Sequence, residues 1–241
     1  MIGDSHAAQF TFPLKTISKE LNINLYFINT GNPNDLVYSM FSAGDMHKDL
    51  IVKHLLKVLN KGDLLILTFY RGHLNNPRDQ HNKVESEVDL SPSEKNFYIN
   101  FNSIKNLFFN NGIRIILIKD GPFLEGLNPK LCSDHANLLR YSKKKCELNY
   151  EIDNYGRTRQ TRLFDRLASE NKGNVIVLDP LRAIYQDKNI LLPYDSKTKK
   201  YIMFDDNHLT EYGSMLSLGY FKYEFLQILN LNVNKNKNNE I

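Results

Sequence analysis

Met1-Ile2-Gly3-Asp4-Ser5-His6 places a serine directly behind a glycine and an aspartate, the make-up of a tight turn that closes a strand. Glycine lets the backbone turn sharply without a Cβ clash. A serine at a strand-to-helix junction stands where helix N-terminal amides converge, its own N–H among them, so a developing oxyanion finds donors there. Alone, Gly-Asp-Ser reads foremost as an ordinary helix cap. The far end of the chain reverses that balance. Asp205-Asp206-Asn207-His208-Leu209-Thr210 sets an imidazole three residues after a carboxylate, within one local turn. Hydroxyl, imidazole and carboxylate are the groups that acyl transfer through a serine ester requires.

Between these ends the chain alternates strand and helix, which argues for a parallel sheet covered by helices. Residues 7–21 read as a helix interrupted near its start by Pro13, and residues 24–28 as a short strand ahead of a turn-rich stretch, 29–35. Residues 49–59 carry Leu50, Ile51, Leu55, Val58 and Leu59 at helical spacing. Lys61-Gly62-Asp63 stops that helix, and residues 64–69 form a buried strand. Residues 71–94 are polar, a long loop expected over the C-terminal edge of the sheet, and loops of that length are usually functional or disordered. A helix over 98–109, a strand over 113–119, a basic helical stretch over 138–167 and a strand over 174–178 follow. The basic stretch reads as a solvated helix face, because Glu147, Glu151 and Asp165 are interspersed. Thr210 is placed to cap a closing helix over 211–229, with Leu209 turned inward and Gly213 letting that helix approach its neighbour. The expected organisation is one domain over residues 1–231 and a frayed polar tail over 232–241, without internal repeats.

At 241 residues the chain can bury a sizeable core, and 41% hydrophobic with 11% aromatic residues is a globular composition. A net charge of +4, with bases scattered among acids, indicates solubility and no nucleic-acid surface. No apolar run approaches the roughly 20 residues of a membrane helix, and no signal peptide precedes the Ser5 motif. The strand that should deliver the Ser5 turn is therefore truncated or very short. A fragment of a longer protein is the favoured expectation, ahead of a misassigned start or an unusually short first strand. Cys132 and Cys146 leave a bridge and two free thiols equally open.

Gly3-Asp4-Ser5-His6-Ala7 and Asp205-Asp206-Asn207-His208-Leu209-Thr210-Glu211-Tyr212-Gly213 resemble the first and last blocks of SGNH (GDSL-type) hydrolases. The similarity is greatest to the SGNH domain fused behind membrane-bound acyltransferase-3 proteins that O-acetylate bacterial glycans. Asn32-Pro33, Asp120-Gly121-Pro122 with Cys132 downstream, and Val175 to Pro180 are compatible landmarks. The resemblance implies a three-layer α/β/α, flavodoxin-like parallel sheet. It implies Ser5 as nucleophile, His208 as base and Asp205 as the acid that orients it, with Asp206 a solvent-facing or capping carboxylate outside the triad. The implied reaction is O-acyl, foremost acetyl, transfer to or from a bacterial cell-surface glycan through an acyl-enzyme on Ser5. A free-standing esterase of small acyl esters and a non-catalytic glycan-binding module are the competing readings. The implied partners are a glycan or acyl-ester substrate and a membrane acyltransferase domain as acyl donor, in the periplasm or cell envelope. Related domains often carry another cysteine pair before the Asp-x-x-His block. Residues 184–193 have none, which weakens the expectation of a disulfide-built exported variant.

The chain departs from the wider family where the oxyanion hole is completed. Family members place a glycine after the second strand and a Gly-x-Asn-Asp block after the third. Here Gly31 stands at the first place, and Arg71 or Asn75 at the second, Arg71 being equally suited to hold the following loop. Losing one oxyanion donor costs on the order of 100-fold in rate. His6 and His73 are the other histidines expected near the site, His6 in a structural or substrate-orienting role. His47, His54, His81 and His135 lack metal-ligand spacing, and no nucleotide-binding glycine loop occurs, so no metal and no cofactor is expected.

Overall fold

The computed structural model describes residues 1–29, 47–74, 90–124, 128–132 and 146–237. By chain contacts it forms two compact units: residues 1–8, 27–120 and 156–177, and residues 9–26, 121–155 and 178–241.

The first unit is built on a parallel sheet. Its strands are β1 (Ile2–Gly3), β2 (Ile28–Asn29), β3 (Leu64–Thr68), β4 (Arg114–Ile118) and β6 (Val175–Leu178), lying side by side in the order β2-β1-β3-β4-β6. In terms of the strands of this sheet alone, that is the 2-1-3-4-5 order of flavodoxin-like folds, in which ligands bind beyond the carboxyl ends of the strands where the order reverses. The β1/β2, β1/β3 and β3/β4 pairings are parallel, with Ile2 opposite Ile28 and Leu67, and Leu64 opposite Arg114. Both pleat faces of β3 and β4 are buried: Leu65, Ile66 and Leu67 alternate sides, as do Ile115, Ile116 and Leu117, and none exceeds 4% exposure. Continuous apolar strands of this kind belong to sheets covered on both sides. Helices α3 (His47–Val58), α4 (Pro92–Phe109) and α6 (Thr158–Glu170) flank the sheet, and Phe97, Phe101, Ile104 and Phe164 join its core.

The strands at the site are shorter than the sequence suggests. A strand extends only as far as its neighbours supply hydrogen bonds, and β1 offers two residues, so β2 is confined to Ile28–Asn29. The helix expected from residue 98 starts at Pro92. Ser91 caps it reciprocally with Glu94, each side chain accepting the other's backbone N–H, and proline occupies the first turn. The polar stretch after β3 opens with a 3₁₀ turn, Arg71–Leu74.

The basic stretch is not one solvated helix. It contains β5 (Leu148–Asn149), α5 (Tyr150–Gly156) and α6, with a break at Arg157. Arg157 is fully buried and its guanidinium Nη1 donates to the Asp120 carbonyl at 3.1 Å. Arg162 Nη2 reaches both oxygens of buried Glu94, at 2.7 and 2.9 Å. These two cations are structural, and the spacing of acids and bases does not reveal it.

In the second unit α2 (Thr11–Glu20) lies against α9 (Leu218–Lys237), with Phe10 edge-to-face on Phe221 at 5.6 Å. The break before α2 falls at Gln9–Phe10. Pro13 sits inside the first turn of α2, where its missing N–H had no intrahelical partner to lose. Two antiparallel ribbons pair β5 with β7 (Ile190–Leu191) and β8 (Tyr194–Asp195) with β9 (Lys200–Tyr201). Cys132 and Cys146 are joined as a disulfide.

The closing helix is divided into α8 (Glu211–Met215) and α9. The Ser214 and Ser217 hydroxyls bond back to the carbonyls of Glu211 and Ser214, a competition with the helix ladder that favours a break. Helix α9 continues to Lys237, past the point where the tail was expected.

Candidate active site

In the first unit β1, β3 and β4 each run into a polar segment, at Asp4 and Ser5, at Tyr70 and Arg71, and at Lys119 and Asp120. β1 runs into Ser5, the first residue of the short helix α1 (Ser5–Ala8). Gly3 is required by close approach: a Cβ there would run into the Thr68 carbonyl oxygen and lie 2.5 Å from Ala7 Cβ. Ser5 itself is exposed, whereas its neighbours Asp4 and His6 are buried. Asp4 caps α1, its Oδ1 accepting the His6 N–H at 2.8 Å. Its Oδ2 accepts the Tyr70 N–H at 2.9 Å and the His73 Nε2–H at 3.0 Å.

Beyond β4, Asp120 takes the other imidazole. His6 Nδ1 donates to Asp120 Oδ1 at 2.8 Å, and the Arg71 N–H to Oδ2 at 3.0 Å. Gln160 braces the backbone, its Oε1 accepting the Asp120 N–H and its Nε2 donating to the Phe69 carbonyl. The His6 ring stacks on Tyr70 at 4.5 Å.

The charges in this cluster compensate one another. Burial pushes the Asp120 carboxyl up, but the His6 charge and hydrogen bond, with the Arg71 charge and amide, outweigh it and hold the group below its ordinary value. Burial likewise raises Asp4, and the His73 hydrogen bond, the Tyr70 amide and both imidazoles bring it below normal. For His6, burial favours the neutral ring, yet Asp120 and then Asp4 raise its pKa despite Arg71.

The second unit carries the terminal motif. Met203 bridges Leu209, and the Phe204 N–H donates to the His208 carbonyl at 2.8 Å, so residues 204–208 form a closed turn. Within it Asp205 Oδ1 accepts the backbone N–H groups of Asn207 and His208, at 3.0 and 2.7 Å. His208 Nδ1 then meets Oδ2 at 2.8 Å. A carboxylate only accepts, so Nδ1 carries a proton, and in the neutral ring Nε2 presents its lone pair, the tautomer of a general base. Burial raises the Asp205 carboxyl, but the Asn207 amide and the His208 ring and amide hold it below normal. The Leu124 N–H donates to the Asp206 carbonyl at 2.6 Å. Leu209 is buried, Thr210 caps α8 by accepting the Gly213 N–H at 3.0 Å, and a Cβ on Gly213 would strike the Ile202 carbonyl. All three local expectations hold.

The structure thus brings Asp205 and His208 together in one unit and places Ser5 at the head of α1 in the other. Gly31 and Asn75 lie outside the described residues. Arg71 is buried, its amide occupied by Asp120 and its guanidinium set against Gly156, where a Cβ would stand 3.5 Å from Cζ. Those contacts suit the holding of the loop after β3. His6 has a buried partner, Asp120, that its position beside Ser5 does not disclose. Asp4 and Asp120 are the residues that sequence reasoning missed. The one available signal was their placement within two residues of the ends of β1 and β4. Among the described residues no cluster of His, Cys, Asp and Glu suited to a metal ion occurs, and no helix is long and apolar enough to cross a membrane.

This fold is that of SGNH hydrolases. Residues 1–221 match the SGNH domain (fused to AT3 domains), and the chain belongs to that family. The lipopolysaccharide acetyltransferase periplasmic domain of Salmonella serovar Paratyphi A shares the fold with a TM-score of 0.62 at 14% identity, over 94% of this chain and 82% of that one. A candidate SGNH hydrolase from Slackia heliotrinireducens does so at 0.52 and 13%, over 92% of this chain and 95% of that one. No curated protein matches the chain. Family membership places it among acyl-transfer and ester-hydrolysis enzymes.

Proposed function

We propose that Ser5, His208 and Asp205 act as a catalytic triad that moves an O-acyl group, foremost acetyl, to or from a bacterial cell-surface glycan. The observation that carries this reading is the Asp205 grip on His208 Nδ1 at 2.8 Å, which leaves Nε2 as a base. The exposed position of Ser5 at the end of β1, where α/β sheets bind ligands, supports it. Ser5 Oγ attacks the ester carbonyl carbon while His208 Nε2 takes its proton. The carbonyl oxygen becomes an oxyanion held by donors that include the Ser5 N–H, with the second donor drawn from Gly31, Arg71 or Asn75. Collapse expels the first alcohol, which receives the proton from His208. A sugar hydroxyl then gives its proton to Nε2 and attacks the acyl-Ser5 ester, and collapse releases Ser5 as its Oγ takes that proton back from His208. Water in place of the sugar makes the same chain an esterase, and the dyad serves either acceptor.

The family is one of domains fused to AT3 domains, which supports a membrane acyltransferase domain as acyl donor. The Cys132–Cys146 disulfide supports an oxidising compartment, and with it the periplasm or cell envelope. In this reading the two units work as one domain. The test is hydrolysis of p-nitrophenyl acetate, with mass analysis of the peptide bearing Ser5. Activity and a trapped acetyl adduct are expected in the wild type and neither in Ser5→Ala. Equal turnover by Ser5→Ala would refute the acyl-enzyme, and absence of both turnover and adduct would favour a glycan-binding module. Release of acetate without transfer to supplied glycans would favour the esterase.

A further inference from the structure

Gln9 is the residue that follows α1, four positions after Ser5, and it is 6% exposed. Its Oε1 accepts the Leu209 N–H at 2.9 Å, a buried bond between residues 200 positions apart. Leu209 directly follows His208 and closes the turn that carries the Asp205–His208 pair by bridging Met203. The amide is packed from one side by Gly121, where an added Cβ would stand 3.4 Å from Gln9 Nε2 and 3.6 Å from Leu209 Cδ1. Gln9 Nε2, buried, has no hydrogen-bond partner among the described residues. A buried donor left unsatisfied costs stability, and a methionine of the same volume would only exchange it for an orphaned Leu209 N–H, so a net gain in stability does not account for the glutamine here.

We propose that Gln9 is a positioning residue. Its Oε1 ties the base-bearing turn to the segment that continues directly from the nucleophile's own helix, and so sets the register in which His208 is presented. The inference rests on the triad reading above. What Gln9 supplies is an acceptor of defined reach. The Leu209 N–H is held, the ends of the 204–208 turn are held with it, and the imidazole inherits that constraint through its own backbone. Proton transfer is sensitive to such constraint, since displacement of a reacting group by about 1 Å costs on the order of 100-fold in rate.

The test compares Gln9→Met, Gln9→Asn and Gln9→Glu in the full chain, with p-nitrophenyl acetate as substrate. Met removes the acceptor at constant volume, Asn withdraws it by one methylene, and Glu retains it. Met and Asn are expected to lower kcat about 100-fold with KM within about twofold, and Glu to stay within about fivefold of wild type. The unfolding midpoint of Gln9→Met should change little, because one orphaned group replaces another. A folded Gln9→Met or Gln9→Asn with wild-type kcat overturns the proposal, as does Gln9→Glu as slow as Gln9→Asn. If Gln9→Met does not fold, the Asn and Glu pair decides. Wild-type turnover that survives Ser5→Ala, or is absent, counts against the triad and not against Gln9. In that case the His208 Nδ1 proton resonance decides: sharp in wild type and Gln9→Glu and broadened in Gln9→Asn supports positioning, and equally sharp in all three overturns it.

Discussion

Two carboxylate–imidazole pairs in this molecule have the same contact geometry and opposite surroundings. His6 Nδ1 meets Asp120 and His208 Nδ1 meets Asp205, each at 2.8 Å. The first pair is sealed, with side chains 4% and 3% exposed, and the second is open, at 25% and 42%. Burial separates their roles. A sealed pair must be complete, because removing one partner strands the other in a medium that solvates charge poorly. An open pair contributes little to stability, since water screens it, but its imidazole can exchange protons with a substrate. The units around them differ likewise. The first is held by a parallel sheet and a continuous polar cluster, the second by short ribbons, helices and a disulfide.

Substitutions can break that contrast. The largest effect is expected in the open pair: His208→Ala should lower kcat for an acyl ester by about 10⁴-fold or more, with unfolding free energy changed by less than about 1 kcal/mol. Comparable losses in both urea unfolding and turnover would erase the distinction. Asp120→Asn should show the reverse, losing about 4 kcal/mol in urea unfolding as His6 is left without its counter-charge. If Asp205→Asn destabilises as much, burial is not what divides the pairs. Next comes the staple of the second unit. Cys132→Ser with Cys146→Ser opens a loop spanning 14 residues and should cost about 3 kcal/mol, measured in the same way. A change of only a few tenths would show that the helices hold this unit alone.

The smallest effect is in pH dependence. The raised pKa of His6 gives stability that is fully present below the ordinary histidine value of about 6.5 and is lost as pH rises through the folded-state value. The lowered values of Asp4 and Asp120 give stability present above about pH 4 and lost as pH falls through their folded-state values. Urea midpoints should therefore be highest between about pH 4 and 6.5 and decline on the alkaline side. Asp120→Asn should flatten the alkaline decline, whereas Asp205→Asn should leave it in place. An alkaline limb that persists in Asp120→Asn would mean that another group titrates.

How much of this was legible depends on chain separation. Asp205 and His208 are three residues apart, so their pairing follows from one local turn. Thr210 capping Gly213 is equally local. By contrast His6 and Asp120 are 114 residues apart, and Asp4 and His73 are 69 apart. No periodicity or composition joins such residues, and Asp120 reads from sequence as a landmark only. Arg157 misleads for the same reason. In a basic stretch it resembles a solvated cation, and its buried contact with the Asp120 carbonyl depends on a break in the helix. The order of the sheet strands and their covering helices was readable, but the two short ribbons, the breaks at Arg157 and in the closing helix, and the strand lengths were not, since a strand ends where its neighbours stop.

The order of the sheet strands and their covering helices, the turn that exposes Ser5 and the Asp205–His208 pair were determined by sequence alone, because each depends on residues within a few positions of one another. Tertiary structure decided which imidazole is sealed and which is open, that Gln9 reaches Leu209, and that Cys132 meets Cys146. Those outcomes follow from burial and from pairing across long stretches of chain, which exist only once the sheet and its covering helices have assembled.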